Sequence, residues 1–294
     1  MMMQSIFRDI EFKKDELMSC HTTFRIGGPA KYLFTPKSQE EILKIIDICK
    51  KNDIKYMIMG NGSNVLFSDK GYDGAIIQIY NSYCDIEVLD DGLYAKAGAL
   101  LAKLATVARD NSMTGMEFAA GIPGTLGGAI VMNAGAYGGE MKDIVEYVEL
   151  LMPDGTVDRV LCDNMKFGYR ESIVSKDMIV LGAKLKLQKG DKKLIQSRMD
   201  ELKEARTSKQ PLDLPSAGST FKRPEGYYAA KLIDDSGLRG FKCGGAMVSD
   251  KHCGFVVNYD KATCQDVLNL IEQVQEIVED KFGVRLEPEV KIIL

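Results

Sequence analysis

The stretch "GNGSNVLFS" (60–68) decides how the rest of the chain is read. It follows "KYMIM" (55–59), a run that reads as a strand, and gathers two glycines, two amides and a hydroxyl into one turn. A strand that enters a Gly/Asn/Ser turn offers backbone N–H groups to phosphate. Neither familiar phosphate pattern fits. No Lys–Ser/Thr pair follows, as a P-loop requires, and a G-x-G-x-x-G frame starting at Gly60 has Val65 at its sixth position.

A second segment, "GIPGTLGGA" (121–129), sharpens the question. Its glycines at 121, 124, 127 and 128, with Pro123 fixing one φ angle, let backbone approach a ligand closely. The apolar run Ala129–Ile130–Val131 is expected to begin a helix, whose N-terminus favours an anion. Two such loops with strands between them suit a pyrophosphate gripped from both sides. The alternative is that the glycines mark tight turns and nothing more.

Around these loops the periodicities alternate between helix and strand. "SQEEILKIIDICKKN" (38–52) predicts a helix with a capping box at Ser38 and Glu41 and an apolar face of Ile42, Ile45, Ile46 and Ile48. Strands are expected at 55–59 and 74–80, and a hairpin over 84–99 turning at Asp90–Asp91–Gly92. A helix follows at 100–111, a second hairpin at 145–162 turning at Pro153–Asp154–Gly155, and a strand at 178–187. Beyond 190 come a long polar helix, a Pro/Gly/Ser-rich connection "QPLDLPSAGSTFKRPEG", a helix at 227–237 and strand-like runs at 241–248 and 253–259. The last helix opens at Thr263 with Asp266 and stops at Gly283; "VRLEPEVKIIL" reads as a strand.

Length and composition bound the possibilities. The 294 residues suggest about two domains. Lys+Arg 38 against Asp+Glu 42 leaves a net charge of −4, which argues against a broad nucleic-acid surface. No apolar run approaches the roughly 18 residues of a membrane span. "MMMQSIFRDIEFKKDE" lacks the apolar core and small-residue cleavage site of a signal peptide. Seven cysteines without CxxC pairs read as reduced thiols of a cytoplasmic protein. With only His21 and His252, acid–base chemistry must rest on other groups.

Six stretches carry a resemblance: "TTFRIGGPAKYLFTP", "GNGSNVLFS", "GMEFAAGIPGTLGGAIVMNAGAYGGE", "FGYRES", "PSAGSTFKRP" and "LEPEV". In this order, over essentially the whole chain, they resemble the UDP-N-acetylenolpyruvoylglucosamine reductases, flavoenzymes of peptidoglycan precursor synthesis. The resemblance implies an α+β chain: an FAD-binding domain of the vanillyl-alcohol-oxidase (PCMH) type at 1–190, made of two α+β subdomains (about 1–75 and 76–190). A smaller α/β substrate-binding domain would follow at 200–284. A C-terminal strand, 285–294, would return a catalytic residue to the active site. The reaction implied is NADPH-dependent reduction of an enolpyruvyl ether of a UDP-sugar to the lactyl ether. The short connection after Arg170 is similar to the family's shorter class, which lacks an inserted tyrosine-bearing loop.

On that resemblance Gly60, Asn61, Gly62, Ser63 and Asn64, together with Gly121, Ile122, Gly124, Thr125, Gly127, Gly128 and Ala129, would hold the FAD pyrophosphate by oriented peptide dipoles. Arg25 would be a nearby cation. Some flavoproteins of this fold bind FAD covalently through a histidine in the first loop. Residues 60–64 contain none, so a non-covalent cofactor is expected.

Arg170, Ser219 and Glu289 match the catalytic positions, and the chemistry suits them. Hydride delivery to the enolpyruvyl β-carbon develops charge on the α-carbon and its carboxylate. A guanidinium is a fixed counter-charge. A serine on a glycine-flanked turn can approach the α-carbon to protonate it. An ionised Glu289 would oppose the developing dianion, so Glu289 is expected to be protonated in the reacting complex, or tied to Arg170.

Between Lys203 and Lys242, eight basic residues outnumber five acidic ones, a patch suited to a diphosphate or to NADPH. Lys222 and Arg223, three and four residues after Ser219, are the candidate substrate contacts; Lys203, Arg206 and Lys209 equally suit a solvated helix face. Tyr227 and Tyr228 are read as buried aromatics, with stacking on uracil as the alternative. Cys243, His252 and Cys253 have poor zinc spacing, and no metal is expected. Two other functions stay open: a flavin oxidase of small sugars or alcohols, and a nucleotide-sugar binding protein without catalysis.

Overall fold

The structure, a computed structural model, describes residues 6–294; residues 1–5, which open the stretch read for an export signal, lie outside them. By its contacts the chain divides into two compact units. One comprises residues up to Lys13, Leu33–Asn61 and Gly74–Arg206; the other comprises Lys14–Tyr32, Gly62–Asp73 and Thr207–Leu294. The units are therefore discontinuous. The segments 14–32 and 62–73, expected within the N-terminal domain, pack with the C-terminal third.

In the first unit, helix Gln39–Lys51 begins at Ser38, whose hydroxyl accepts from the Glu41 amide at 3.2 Å. Glu41 reaches back to the Lys37 amide at 2.7 Å, one residue beyond a capping box. Its buried face is Ile42, Ile45, Ile46 and Cys49, an i, i+3, i+4, i+7 stripe; Ile48 sits at the margin. The strand Tyr56–Met59 pairs in parallel with Tyr72–Gln78, so "GNGSN" leaves the carboxyl end of a parallel strand. Ligand loops characteristically lie at that end.

The rest of this unit is built on a five-stranded antiparallel sheet in the order Val157–Leu161, Val145–Leu151, Ile179–Lys186, Gly92–Lys96, Ile86–Leu89. Both Asp-Gly turns form hairpins as their sequences specify. One face buries Val148, Leu150, Leu181, Ala183, Leu185, Leu93 and Ala95, and the helices Leu101–Asp110 and Leu126–Val131 contact the sheet. The other face carries a polar ladder, with Tyr94 donating to Glu149 at 2.5 Å and Lys184 paired with Asp91 and Glu146.

The second unit centres on a four-stranded antiparallel sheet ordered Ser216–Ser219, Phe255–Asn258, Ala246–Val248, Lys242–Cys243. Helices Ala229–Asp235 and Cys264–Phe282 share its core, with Val248, Val256, Ile233, Leu270, Ile271 and Val274 among the buried side chains. The long helix opens with a Thr263/Asp266 capping box and ends at Gly283, φ +68°. The Asp69 carboxylate adds bonds from the Cys264 and Gln265 amides. The strand Lys291–Ile293 lies parallel to Val65–Phe67. The expected terminal strand is thus shorter than its apolar pattern: Pro288 lacks the N–H a ladder needs, and Phe221–Pro288 is an isolated bridge. The strand Ser216–Ser219 lies inside the stretch read as a connection, because a bulge between Ser216 and Ser219 breaks the alternation that marks a strand.

Among the described residues no helix is long and apolar enough to cross a membrane.

Candidate active site

Within the first unit, Gly60 and Asn61 at the start of the first glycine loop meet the second loop. Asn61 Nδ2 donates to the Pro123 carbonyl at 2.7 Å, and Gln78 Nε2 holds the Gly60 carbonyl at 3.2 Å. A Cβ on Gly60 would stand 2.2 Å from Thr125 Oγ1, so glycine is what lets the backbone close on Thr125.

The two loops use their amides differently. In the second loop, Leu126 and Gly127 donate to Ala99 and Ala97, Ala129 to the Thr125 carbonyl, and Gly128 to the Thr125 hydroxyl at 3.4 Å. The helix that follows, Leu126–Val131, has only six residues. Gly127, Gly128 and Ala129 therefore shape the loop, while the amides of Gly121, Gly124 and Thr125 have no acceptor among the described residues. The first loop differs: the amides of Asn61, Gly62, Ser63 and Asn64 all lack an acceptor among the described residues, although Gly62 is buried. A buried N–H is almost always paired, so the buried Gly62 amide suits an external acceptor, and the three half-buried amides around it can share an anion there. These donors fit the pyrophosphate of a flavin dinucleotide.

Arg206 is a residue the sequence reading left between basic patch and solvated helix face. Its side chain packs on Gly121: a Cβ there would lie 2.9 Å from Cδ and 3.3 Å from Nη1. The guanidinium is half-buried and has no hydrogen-bond or ion-pair partner among the described residues; burial pushes its pKa down, partly countered by Tyr137. A desolvated cation beside an amide-lined loop favours an anionic ligand. The only sequence signal was its Arg identity in a basic stretch; its packing on Gly121 is a tertiary fact.

Arg170 stands in the turn 165–173 of the same unit. The Gly168 amide donates to Glu171 O at 3.1 Å and the Ile173 amide to Met165 O at 2.9 Å. Arg170 has φ +62°, a left-handed conformation that is uncommon for a long side chain, and its guanidinium lies 5.1 Å from the Tyr169 ring centroid. Glu140 shares this neighbourhood. Its carboxyl is held low by Lys142 first, then by Asn133 and the Arg170 charge.

The second unit gathers the remaining candidates. Gly62, φ +65°, comes so close to the segment before Arg25 that a Cβ would sit 2.1 Å from the His21 carbonyl, and the Thr23 amide donates to Gly62 O at 3.1 Å. Arg25 is exposed at φ +55°. Thr23 Oγ1 then donates to the Ser216 carbonyl at 2.7 Å, tying this segment to the strand that carries Ser219. The Ser219 hydroxyl is exposed and has no partner among the described residues. Glu289 lies beside it: its amide donates to Thr220 O at 2.8 Å, and its carbonyl accepts from Asn64 Nδ2 at 3.3 Å. The Lys291 amide returns a bond to Asn64 O at 3.0 Å. Asn64, Glu289 and Thr220, the residue after Ser219, are thus joined by hydrogen bonds.

Lys222 forms an ion pair with Glu287, and Arg223 stacks over the Tyr228 ring at 4.0 Å while donating to Tyr227 O at 3.3 Å. Tyr227 and Tyr228 are 46% and 60% exposed, contrary to the expectation of buried aromatics. Both precede helix Ala229–Asp235, so its core face begins after them. Among the described residues no three His, Cys, Asp or Glu side chains are placed to hold a metal.

Two family models match. Residues 30–160 fit an FAD binding domain, and residues 210–293 fit the C-terminal domain of UDP-N-acetylenolpyruvoylglucosamine reductase. The chain is 49% identical to the UDP-N-acetylenolpyruvoylglucosamine reductase of Caldanaerobacter subterraneus subsp. tengcongensis over 99% of its own length and 96% of that protein's. It is also 49% identical to that of Clostridioides difficile, over 96% and 93%. Among solved structures, it resembles that of the Thermus caldophilus enzyme with a TM-score of 0.84 and 35% identity, covering 97% of this chain and 100% of that one. The fold is therefore α+β with an FAD-binding domain over residues 30–160.

Proposed function

Because the chain belongs to the UDP-N-acetylenolpyruvoylglucosamine reductase family, an FAD-dependent oxidoreductase family of peptidoglycan synthesis, we propose that it is a cytoplasmic enzyme reducing the enolpyruvyl ether of a UDP-sugar at the expense of NADPH. FAD bound at the glycine loops would supply the hydride, drawn from NADPH and passed to the enolpyruvyl β-carbon. The amides of Asn61, Gly121, Gly124 and Thr125 bind its pyrophosphate, with Arg206 supplying positive charge; Gly62, Ser63, Asn64 and Arg25 are further cofactor candidates. The C-terminal unit receives the substrate, with Lys222 and Arg223 facing its phosphates.

Arg170 stabilises the charge that develops on the α-carbon and its carboxylate, as a guanidinium that stays protonated throughout. Ser219 gives its hydroxyl proton to the α-carbon and must recover one at once, since serine is a weak acid. Glu289 acts as a neutral donor to the enolate, because an ionised carboxylate there would oppose the dianion.

The observation that carries this reading is the clamp at Asn64. The loop assigned to the cofactor is bonded directly to the Glu289 carbonyl, and Glu289 is bonded to the residue after Ser219. Proton donor and cofactor loop are therefore supported by the same hydrogen bonds. The test is Ser219→Ala under anaerobic conditions. NADPH is expected to bleach the yellow protein at the normal rate, and the enolpyruvyl substrate to restore the colour at least about 100-fold more slowly, the scale of a lost proton donor. Normal recovery of colour would assign the proton to another group, and a colourless purified protein that takes up no FAD would remove the enzyme reading altogether.

A further inference from the structure

Asn133 is buried, 1% exposed, and stands at φ +39° just after helix Leu126–Val131. Its side chain makes three hydrogen bonds. Nδ2 donates to Glu140 Oε2 at 2.9 Å and to the Gly168 carbonyl at 2.9 Å, and Oδ1 accepts from the Lys142 amide at 3.0 Å. Two acceptors face the NH2 and one donor faces the oxygen, a pattern that only a carboxamide satisfies. Gly168 lies two residues before Arg170, in the closed turn that ends at Ile173. A second tether joins the same two segments, from Ser172 Oγ to the Val131 carbonyl at 3.0 Å.

Arg170 sits in a left-handed conformation, which persists only where the surroundings over-determine it. Asn133 is the buried group that grips this turn from outside. It also fixes Glu140, which is ion-paired to Lys142 at 2.8 Å.

We propose that Asn133 is the positioning residue for Arg170: one buried carboxamide, by joining the Gly168 carbonyl to the Glu140 carboxylate, sets where the guanidinium stands. The inference rests on the role given to Arg170 above and adds the device that aims it. Asn133→Asp tests it, because the change preserves shape and the acceptor for Lys142 but turns a carboxylate oxygen toward two acceptors. The variant is expected to take up FAD with an unaltered visible spectrum and to be bleached by NADPH within twofold of the normal rate. Recovery of colour with the enolpyruvyl substrate should fall about 100-fold at pH 8. It should improve as the pH is lowered, because protonation of the introduced carboxylate restores one donor. In an Arg170→Ala background, Asn133→Asp should add less than about twofold, the signature of a residue acting through Arg170.

Losses that multiply in the double variant, or a slowed reaction with NADPH, would overturn the proposal. If Arg170→Ala alone leaves colour recovery intact, the premise about Arg170 fails and the proposal with it. If Arg170→Ala stalls while Asn133→Asp does not, only the positioning role fails. Should Asn133→Asp not fold, Asn133→Gly, at ease at φ +39°, carries the same cycle.

Discussion

Replacing Gly60 by alanine would put a methyl group 2.2 Å from Thr125 Oγ1, where ordinary contact begins near 3.4 Å. The hydroxyl would have to retreat by about 1.2 Å, and it has little room: Thr125 is 2% exposed and caps helix Leu126–Val131 through the Gly128 amide. Losing a cap of this kind costs about 0.5–1 kcal/mol, and forcing a methyl into packed surroundings about 1–2 kcal/mol more. If the two loops part to relieve the overlap, roughly 2 kcal/mol is lost from cofactor binding, about a 30-fold rise in the dissociation constant. Titration of the apoprotein by quenching of flavin fluorescence reads this directly. At FAD 100-fold above the normal dissociation constant, stabilisation against thermal unfolding should drop from about 2.7 to about 0.9 kcal/mol. The rescue is specific. Gly60→Ala with Thr125→Ala removes the obstructing oxygen and should recover affinity to within about threefold, whereas Thr125→Ser retains the oxygen and should not. Unchanged affinity in Gly60→Ala would refute the close approach of the loops as the basis of cofactor binding. Equal weakness in both double variants would refute the overlap as its cause.

Arg206→Gln should weaken FAD binding about tenfold, because hydrogen bonds to charged groups contribute about 1.5–3 kcal/mol; unchanged affinity in the same titration would return Arg206 to a packing role. The pH dependence of stability has a contributor in His252, whose pKa is pushed below its usual value by burial, with the Arg239 charge adding to the effect. Its Nδ1 accepts from the Gly254 amide at 3.1 Å, a bond that requires that nitrogen unprotonated. A depressed histidine pKa means that the unfolded chain binds the proton first. His252 therefore contributes its stability fully above about pH 6.5, and that contribution is lost as the pH falls toward the lower folded value. Urea unfolding between pH 7.5 and 5.5 should show a falling midpoint whose slope is reduced in His252→Gln; an identical slope would assign the loss to other groups.

Helix ends were legible because capping is local. Ser38 and Glu41, and Thr263, Asp266 and Gly283, act within a few residues of one another, and the helices begin and end where those residues stand. Hairpin turns at Asp91–Gly92 and Asp154–Gly155 were legible for the same reason. The resemblance placed Ser219 and Glu289 in one functional group, and they lie side by side on adjoining segments. What the pattern missed required distant partners. The strand Ser216–Ser219 is hidden by its bulge and by glycine. Tyr227 and Tyr228 precede the helix they were expected to pack, and Arg206 on a polar helix gives no sign that Gly121 lies against it.

Spacing of glycines, caps and turn residues along the chain was enough to indicate two loops suited to a phosphate and the helices and hairpins around them, since each of these depends on neighbours in sequence; a flavin dinucleotide as the occupant came from the family resemblance. Which amides remain to meet that occupant was decided only in three dimensions. Those of Gly127 and Ala129 are taken by carbonyls of Ala97 and Thr125, while those of Asn61 through Asn64 have no acceptor among the described residues. Hydrogen-bond saturation depends on which strand or loop comes to lie alongside, and for Gly127, thirty residues from Ala97, that is settled by packing of the sheet and its helices.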